Sequence, residues 1–207
     1  MRLRYRILLL FVLGLLASAC RGELTLDIQV AEDGSGTVTY TLFVDDDFVE
    51  TFGSLNELVL DDVVAGGWDV EVSTVAGGEE IDLSKPFATM ADLPGVIAEL
   101  DGDVSGLFQN VSLVRIEEQD LVRYELSMEV DLSQLVEQLS DDELTERLDG
   151  LPFGFEPAEL ERLAGGSLEA ATTVSVRVNL VGTESDMSST LESDEVISIN
   201  VVTEVVD

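Results

Sequence analysis

Leu121-Val-Arg-Tyr-Glu-Leu-Ser-Met-Glu-Val-Asp-Leu132 is the stretch that decides the fold. Val122, Tyr124, Leu126, Met128, Val130 and Leu132 share one side of an extended chain, and Arg123, Glu125, Ser127, Glu129 and Asp131 share the other. Successive strand side chains point to opposite faces, so this pattern specifies a sheet with one buried and one wet surface. Just upstream, Val111 to Ile116 supplies the partner strand of a hairpin.

The same period of two recurs outward from this hairpin. Leu24, Leu26, Ile28 and Val30 alternate with Thr25, Asp27 and Gln29. The turn residues Ala31 to Gly36 follow, and Val38, Tyr40, Leu42 and Val44 resume the alternation. Trp68, Val70, Val72 and Val75 precede a turn at Gly77-Gly-Glu-Glu80, with Ile81, Leu83 and Phe87 beyond it. Val174, Val176, Val178 and Leu180 mark a further strand, and Val196 to Val206 a last one whose valine doublets break the alternation.

Helical spacing appears between these strands. Asp47 and Glu50 are placed like a cap and its reciprocal partner, with Phe48, Phe52, Leu55 and Val59 following, although Gly53 weakens the middle. Asp92 to Leu100 reads as a short helix, and residues 133–165 as polar helices. The expected class is therefore α+β. It comprises an antiparallel sheet of hairpins with inserted helices packed on one face and room for an apolar cavity between the layers.

The N-terminus gives an address. Arg2, Arg4 and Arg6 precede an apolar run from Ile7 to Leu16, and Ala17-Ser-Ala-Cys20 follows. A basic start, a short apolar run and small residues before a break are the marks of a secretory signal peptide. The run is short for about 30 Å of hydrocarbon. Leu16-Ala-Ser-Ala-Cys20 resembles the lipobox of bacterial lipoproteins, with Ala17 where a leucine is usual. The resemblance implies that Cys20, the sole cysteine, is lipidated through a thioether to diacylglycerol; Ala17-Ser-Ala19 also suits ordinary signal peptidase. The expected organisation is a signal peptide over 1–19, a lipidated Cys20 with a tether over 20–23, and one domain over 24–207. The expected location is the outer face of the bacterial cell membrane.

Composition narrows the functions. Removing residues 1–19 takes three of the ten Lys/Arg and leaves seven against 43 Asp/Glu. Such a charge excludes nucleic acid and anionic headgroups as natural partners, because phosphate binding needs cations to displace counterions. The chain has no histidine, which removes Ser-His-Asp, Cys-His and histidine–metal chemistry. A carboxylate-only enzyme is the remaining catalytic class. Asp45-Asp-Asp47, Asp61-Asp62, Asp101-Gly-Asp103 and Asp141-Asp-Glu143 lack the calcium-loop spacing and stand where turns and helix starts favour acids. The reading is that the chain is not an enzyme and takes no cofactor or metal.

The order of features resembles the LppM-like bacterial lipoprotein domain family. The likeness runs through Cys20 and the strand after it, Gly67-Trp68, the stretch to Phe87 and Met90-Ala-Asp-Leu-Pro94. It continues through the Val111–Leu132 hairpin ending Glu129-Val-Asp-Leu-Ser133 and the valine-rich strands after Thr172. Two departures are that the chain stops at Asp207, where the family often continues into a transmembrane helix, and that its segment 133–165 is longer. The resemblance implies a membrane-anchored lipoprotein whose domain binds envelope lipid or glycolipid in an apolar cavity. Candidate lining residues are Phe48, Phe52, Trp68, Phe87, Phe108, Tyr124, Phe153 and Phe155; each has an ordinary place in a core as its alternative. Arg115, Arg123 and Arg177 are the cations available to a polar headgroup, with pairing to carboxylates as the alternative. The competing function is a structural or protein-interaction module of the cell envelope, with no protein partner specified.

Overall fold

The computed structural model describes residues 22–46, 49–50, 54–57, 60–101, 106–118, 121–131, 172–181, 183–190 and 196–206. Among them are nine strands: β1 (Gly22–Val30), β2 (Gly36–Asp45), β3 (Asp69–Val75), β4 (Gly78–Phe87), β5 (Phe108–Glu118), β6 (Leu121–Asp131), β7 (Thr172–Leu180), β8 (Thr183–Thr190) and β9 (Val196–Val206). Two α-helices, α1 (Asp61–Ala65) and α2 (Leu93–Asp101), and two 3-10 turns at Leu55–Glu57 and Met90–Asp92 accompany them. No helix among the described residues is long and apolar enough to cross a membrane.

This corrects the expected class. The strands form two sheets: sheet A in the order β3-β4-β2-β1-β7-β8, and sheet B in the order β5-β6-β9. Sheet A is mixed, because β1 pairs antiparallel with β2 and parallel with β7. Among the described residues, the buried side chains of sheet A, sheet B and α2 belong to one hydrophobic cluster. The alternating β6 read from sequence is the reason: its buried face needs another apolar layer, and sheet A provides it. Where helical spacing led to a helix from Asp47 onward, the described residues Asp46, Val49 and Glu50 are helical, the turn at Leu55–Glu57 and the five-residue α1 follow, and Phe48, Phe52 and Val59 lie outside the described residues.

The core follows from the alternation. Leu24, Leu26, Ile28 and Val30 of β1, Val38, Tyr40, Leu42 and Val44 of β2, and Val174, Val176, Val178 and Leu180 of β7 are buried on one face. Tyr124, Leu126, Met128 and Val130 of β6, with Ile199 and Val201 of β9, meet them from sheet B. Leu93, Val96, Ile97 and Leu100 give α2 a buried stripe at helical spacing, and the Tyr40 hydroxyl donates to the Ile97 carbonyl at 3.3 Å. Among the described residues the buried side chains of both sheets and α2 form one continuous cluster.

Sheet B contains one irregularity. Gln109 pairs with Glu129 but Ser112 pairs with Ser127, so β5 carries one extra residue at this point. Asn110, at φ 52°, adopts the left-handed conformation that asparagine tolerates. The bulge lets Phe108 and Leu113, five residues apart, both face the core.

Candidate functional site

The burial of even-numbered positions on β1 and β2 turns the odd-numbered ones outward. Glu23, Thr25, Asp27 and Gln29 of β1 lie beside Thr39, Thr41 and Phe43 of β2, Glu80 and Asp82 of β4, and Arg177 of β7. Together they line an open concavity of about 500 Å³ on the outer face of sheet A, opposite the core.

Strand register arranges these residues in rows. Glu80, Phe43 and Glu23 form the first, on β4, β2 and β1. Asp82, Thr41 and Thr25 form the second, and the Thr41 hydroxyl donates to Asp82 Oδ1 at 2.5 Å. Thr39, Asp27 and Arg177 form the third, with Arg177 Nη1 3.7 Å from Asp27 Oδ2. Burial, then the charges of Asp82 and Glu23, hold the Glu80 carboxyl above its ordinary range. The face thus offers hydroxyl and amide donors, carboxylate acceptors, one guanidinium and one ring. Among the described residues, no group of three or more acidic or cysteine side chains is placed to hold a metal ion. The arrangement suits a neutral or cationic polyhydroxylated group, which exchanges its water for many weak hydrogen bonds.

The candidates read from sequence lie elsewhere. Trp68, Phe87, Phe108 and Tyr124 are all in the buried cluster. Tyr40 connects two of them, with ring centroids 6.0 Å from Trp68 and 6.0 Å from Phe108. Phe87 packs at the far end of β4 against the Gly36 position, and Tyr124 donates its hydroxyl to the Glu32 carbonyl at 2.9 Å. Cys20, Phe48, Phe52, Phe153, Phe155 and the segment 133–165 lie outside the described residues, as does the signal sequence 1–19. Arg115 is joined to Glu117 and to the Tyr124 hydroxyl, Arg123 to Glu125, and Arg177 to Asp27.

Sequence reasoning missed the concavity because its signal is the polar half of each alternation. The outward set Glu23, Thr25, Asp27 and Gln29, beside Thr37, Thr39 and Thr41, is unusually rich in threonine and could have been read as a surface with work to do. A surface strand needs only polarity, and threonine is also favoured by the pleat itself. Phe43 is the stronger hint, as an aromatic ring on the wet side of a strand.

No family model matches the chain, and no curated protein matches it. Among solved structures the chain is similar to the NMR structure of the folded domain of LppM from Mycobacterium tuberculosis. The two are 11% identical, with 90% of this chain and 91% of that chain covered, at a TM-score of 0.43.

Proposed function

We propose that the chain is an exported, non-catalytic lipoprotein, held at the outer face of the membrane through Cys20, whose sheet A concavity receives the headgroup of an envelope glycolipid. One observation carries this reading. Glu23, which lines the concavity, is three residues from Cys20, and three extended residues reach only about 10 Å. A lipid at Cys20 would therefore bring the polar face to the level of the headgroups. A diacylglycerol thioether supplies the two chains that stable anchoring needs. The apolar part of the ligand stays in the bilayer, so the domain binds the sugar and needs no hydrocarbon cavity of its own.

Two measurements test it. Radiolabelled fatty acid is expected to enter the processed protein and to be lost with Cys20→Ser; unchanged labelling in that variant rejects the anchor. Native mass spectrometry of the full-length protein in nanodiscs of its own envelope lipids is expected to retain glycolipid. The double variant Thr41→Val, Asp82→Asn is expected to lose most of it, and equal retention by that variant rejects the headgroup site.

A second reading, an envelope protein-interaction module, rests on sheet B. β9 pairs on one side only among the described residues, and its outward Val196 and Val202 are each 55% exposed. Such an edge is a template for another strand. Crosslinking from position 202 in native membranes is expected to recover one defined protein under this reading and none under the first.

A further inference from the structure

The first row of the concavity differs in kind from the other two. Phe43 stands on β2 with Glu23 as its register partner on β1 and Glu80 as its partner on β4. Neighbouring strands lie about 4.8 Å apart, so the ring has a carboxylate-bearing position on each flank. Asp82 follows one row further along β4, while the Asp27–Arg177 pair lies two rows away. Negative charge and the single ring are thus gathered at one end of the concavity, and the guanidinium is at the other. This is also the end that starts closest to Cys20 in sequence.

A ring between two carboxylates matches few ligand groups. A phosphate or carboxylate would be repelled from three sides. A neutral hydroxyl would use the acids but gain nothing from the ring face. A hydrated metal ion would gain nothing from the ring either. An organic ammonium uses all three groups, since it is attracted to the ring face and donates to the acids on either side. Glu80, held protonated beyond the usual range by burial, Asp82 and Glu23, is relieved by an arriving cation.

We infer that the Glu23–Phe43–Glu80 row is a subsite for the ammonium group of an amino sugar, so that the headgroup taken by the concavity carries a free amine. The inference rests on the headgroup reading above and narrows its ligand class. The hydroxyls of the same sugar then face Thr41, Asp82 and Thr25 in the next row. An anionic headgroup is refused by the same residues that accept the amine.

The test compares glucosamine with N-acetylglucosamine, titrated by NMR into the full-length protein in detergent micelles at a pH where the amine is protonated. Glucosamine is expected to bind about tenfold more tightly, the equivalent of about 1.4 kcal/mol. Phe43→Leu and Glu80→Gln are each expected to erase that preference, while Glu129→Gln on sheet B leaves the binding of both sugars unchanged. The Glu80 carboxyl should also titrate at a lower pH in the presence of glucosamine. Equal binding of the two sugars, or a preference that survives Glu80→Gln, overturns the ammonium subsite and leaves the headgroup reading intact. Absence of binding by both sugars overturns the two together.

Discussion

Individual residues in this molecule are held by very unequal numbers of partners. Gly36 begins β2, and a Cβ there would come within 2.0 Å of the Gln29 carbonyl oxygen and 2.3 Å of the Phe87 ring. Backbone cannot yield as a flexible side chain can, so Gly36→Ala is expected to destabilise by about 2–3 kcal/mol, measured by urea unfolding. Glu99 is a second such point. Its Oε2 accepts from the Trp68 indole at 3.1 Å and from Lys85 at 2.5 Å, while Lys85 also donates to the Gly66 carbonyl and lies 5.8 Å from the Trp68 ring centroid. Glu99→Ala leaves a buried indole donor without its acceptor and is expected to cost about 1–2 kcal/mol; Glu99→Gln, which keeps an acceptor, should cost less. Glu80 behaves in the opposite sense. Its raised pKa means the folded state binds more protons than the unfolded state between the ordinary glutamate range and the raised value. Stability is therefore greatest below that window and falls as pH rises through it. Glu80→Gln is expected to raise the thermal midpoint at neutral pH and to flatten its dependence across the window, read by calorimetry at a series of pH values.

At the level of elements, what was legible depended on whether a turn carried its usual residues. The β1–β2 hairpin was legible because Asp33 and Gly34 stand in its turn; Asp33 Oδ1 accepts from the Ser35 amide at 3.0 Å, and Gly34 has φ 84°. The β3–β4 hairpin was legible from alternation and Gly77-Gly78 together, and the β5–β6 hairpin, whose connection has no glycine, from alternation alone. β8 was not. Thr183-Glu-Ser-Asp-Met-Ser-Ser-Thr190 has almost no apolar residue, and Val181, rather than Asn or Gly, stands in the turn that precedes it. Val181 has φ 49°, a conformation that a β-branched side chain resists at a cost of about 1–2 kcal/mol. Val181→Asn would give the Asn-Gly pair favoured in two-residue hairpins. It is expected to raise the thermal midpoint despite the loss of partial burial; a fall would show that the valine's packing outweighs its strain. The β5 bulge was hidden for a related reason, since Phe108 and Leu113 break parity and only pairing with β6 shows that an extra residue restores it. Asn110→Val is expected to destabilise and Asn110→Gly to be nearly neutral, by the same φ argument.

The whole molecule is dominated by charge and by where its first strand lies. A formal charge of −33 pushes the folded chain apart from within, so added salt should raise the thermal midpoint until the surface field is screened. The candidate binding face was the least legible feature, because no local run of sequence encodes it. Glu23, Phe43, Glu80 and Arg177 meet only through the order β4-β2-β1-β7, and that order depends on a parallel pairing that links residues about 150 apart. The core, by contrast, could be read strand by strand, because each alternation declares its buried side without reference to the others.

The position of β1 has a mechanical corollary. A tug on a membrane-bound N-terminus would act along a strand that is laced to β2 on one flank and β7 on the other, from Gly22 to Val30 on both. Load in that direction is shared by two ladders in shear, where peeling would open one bond at a time. Under the proposed anchoring, this arrangement resists unfolding by drag.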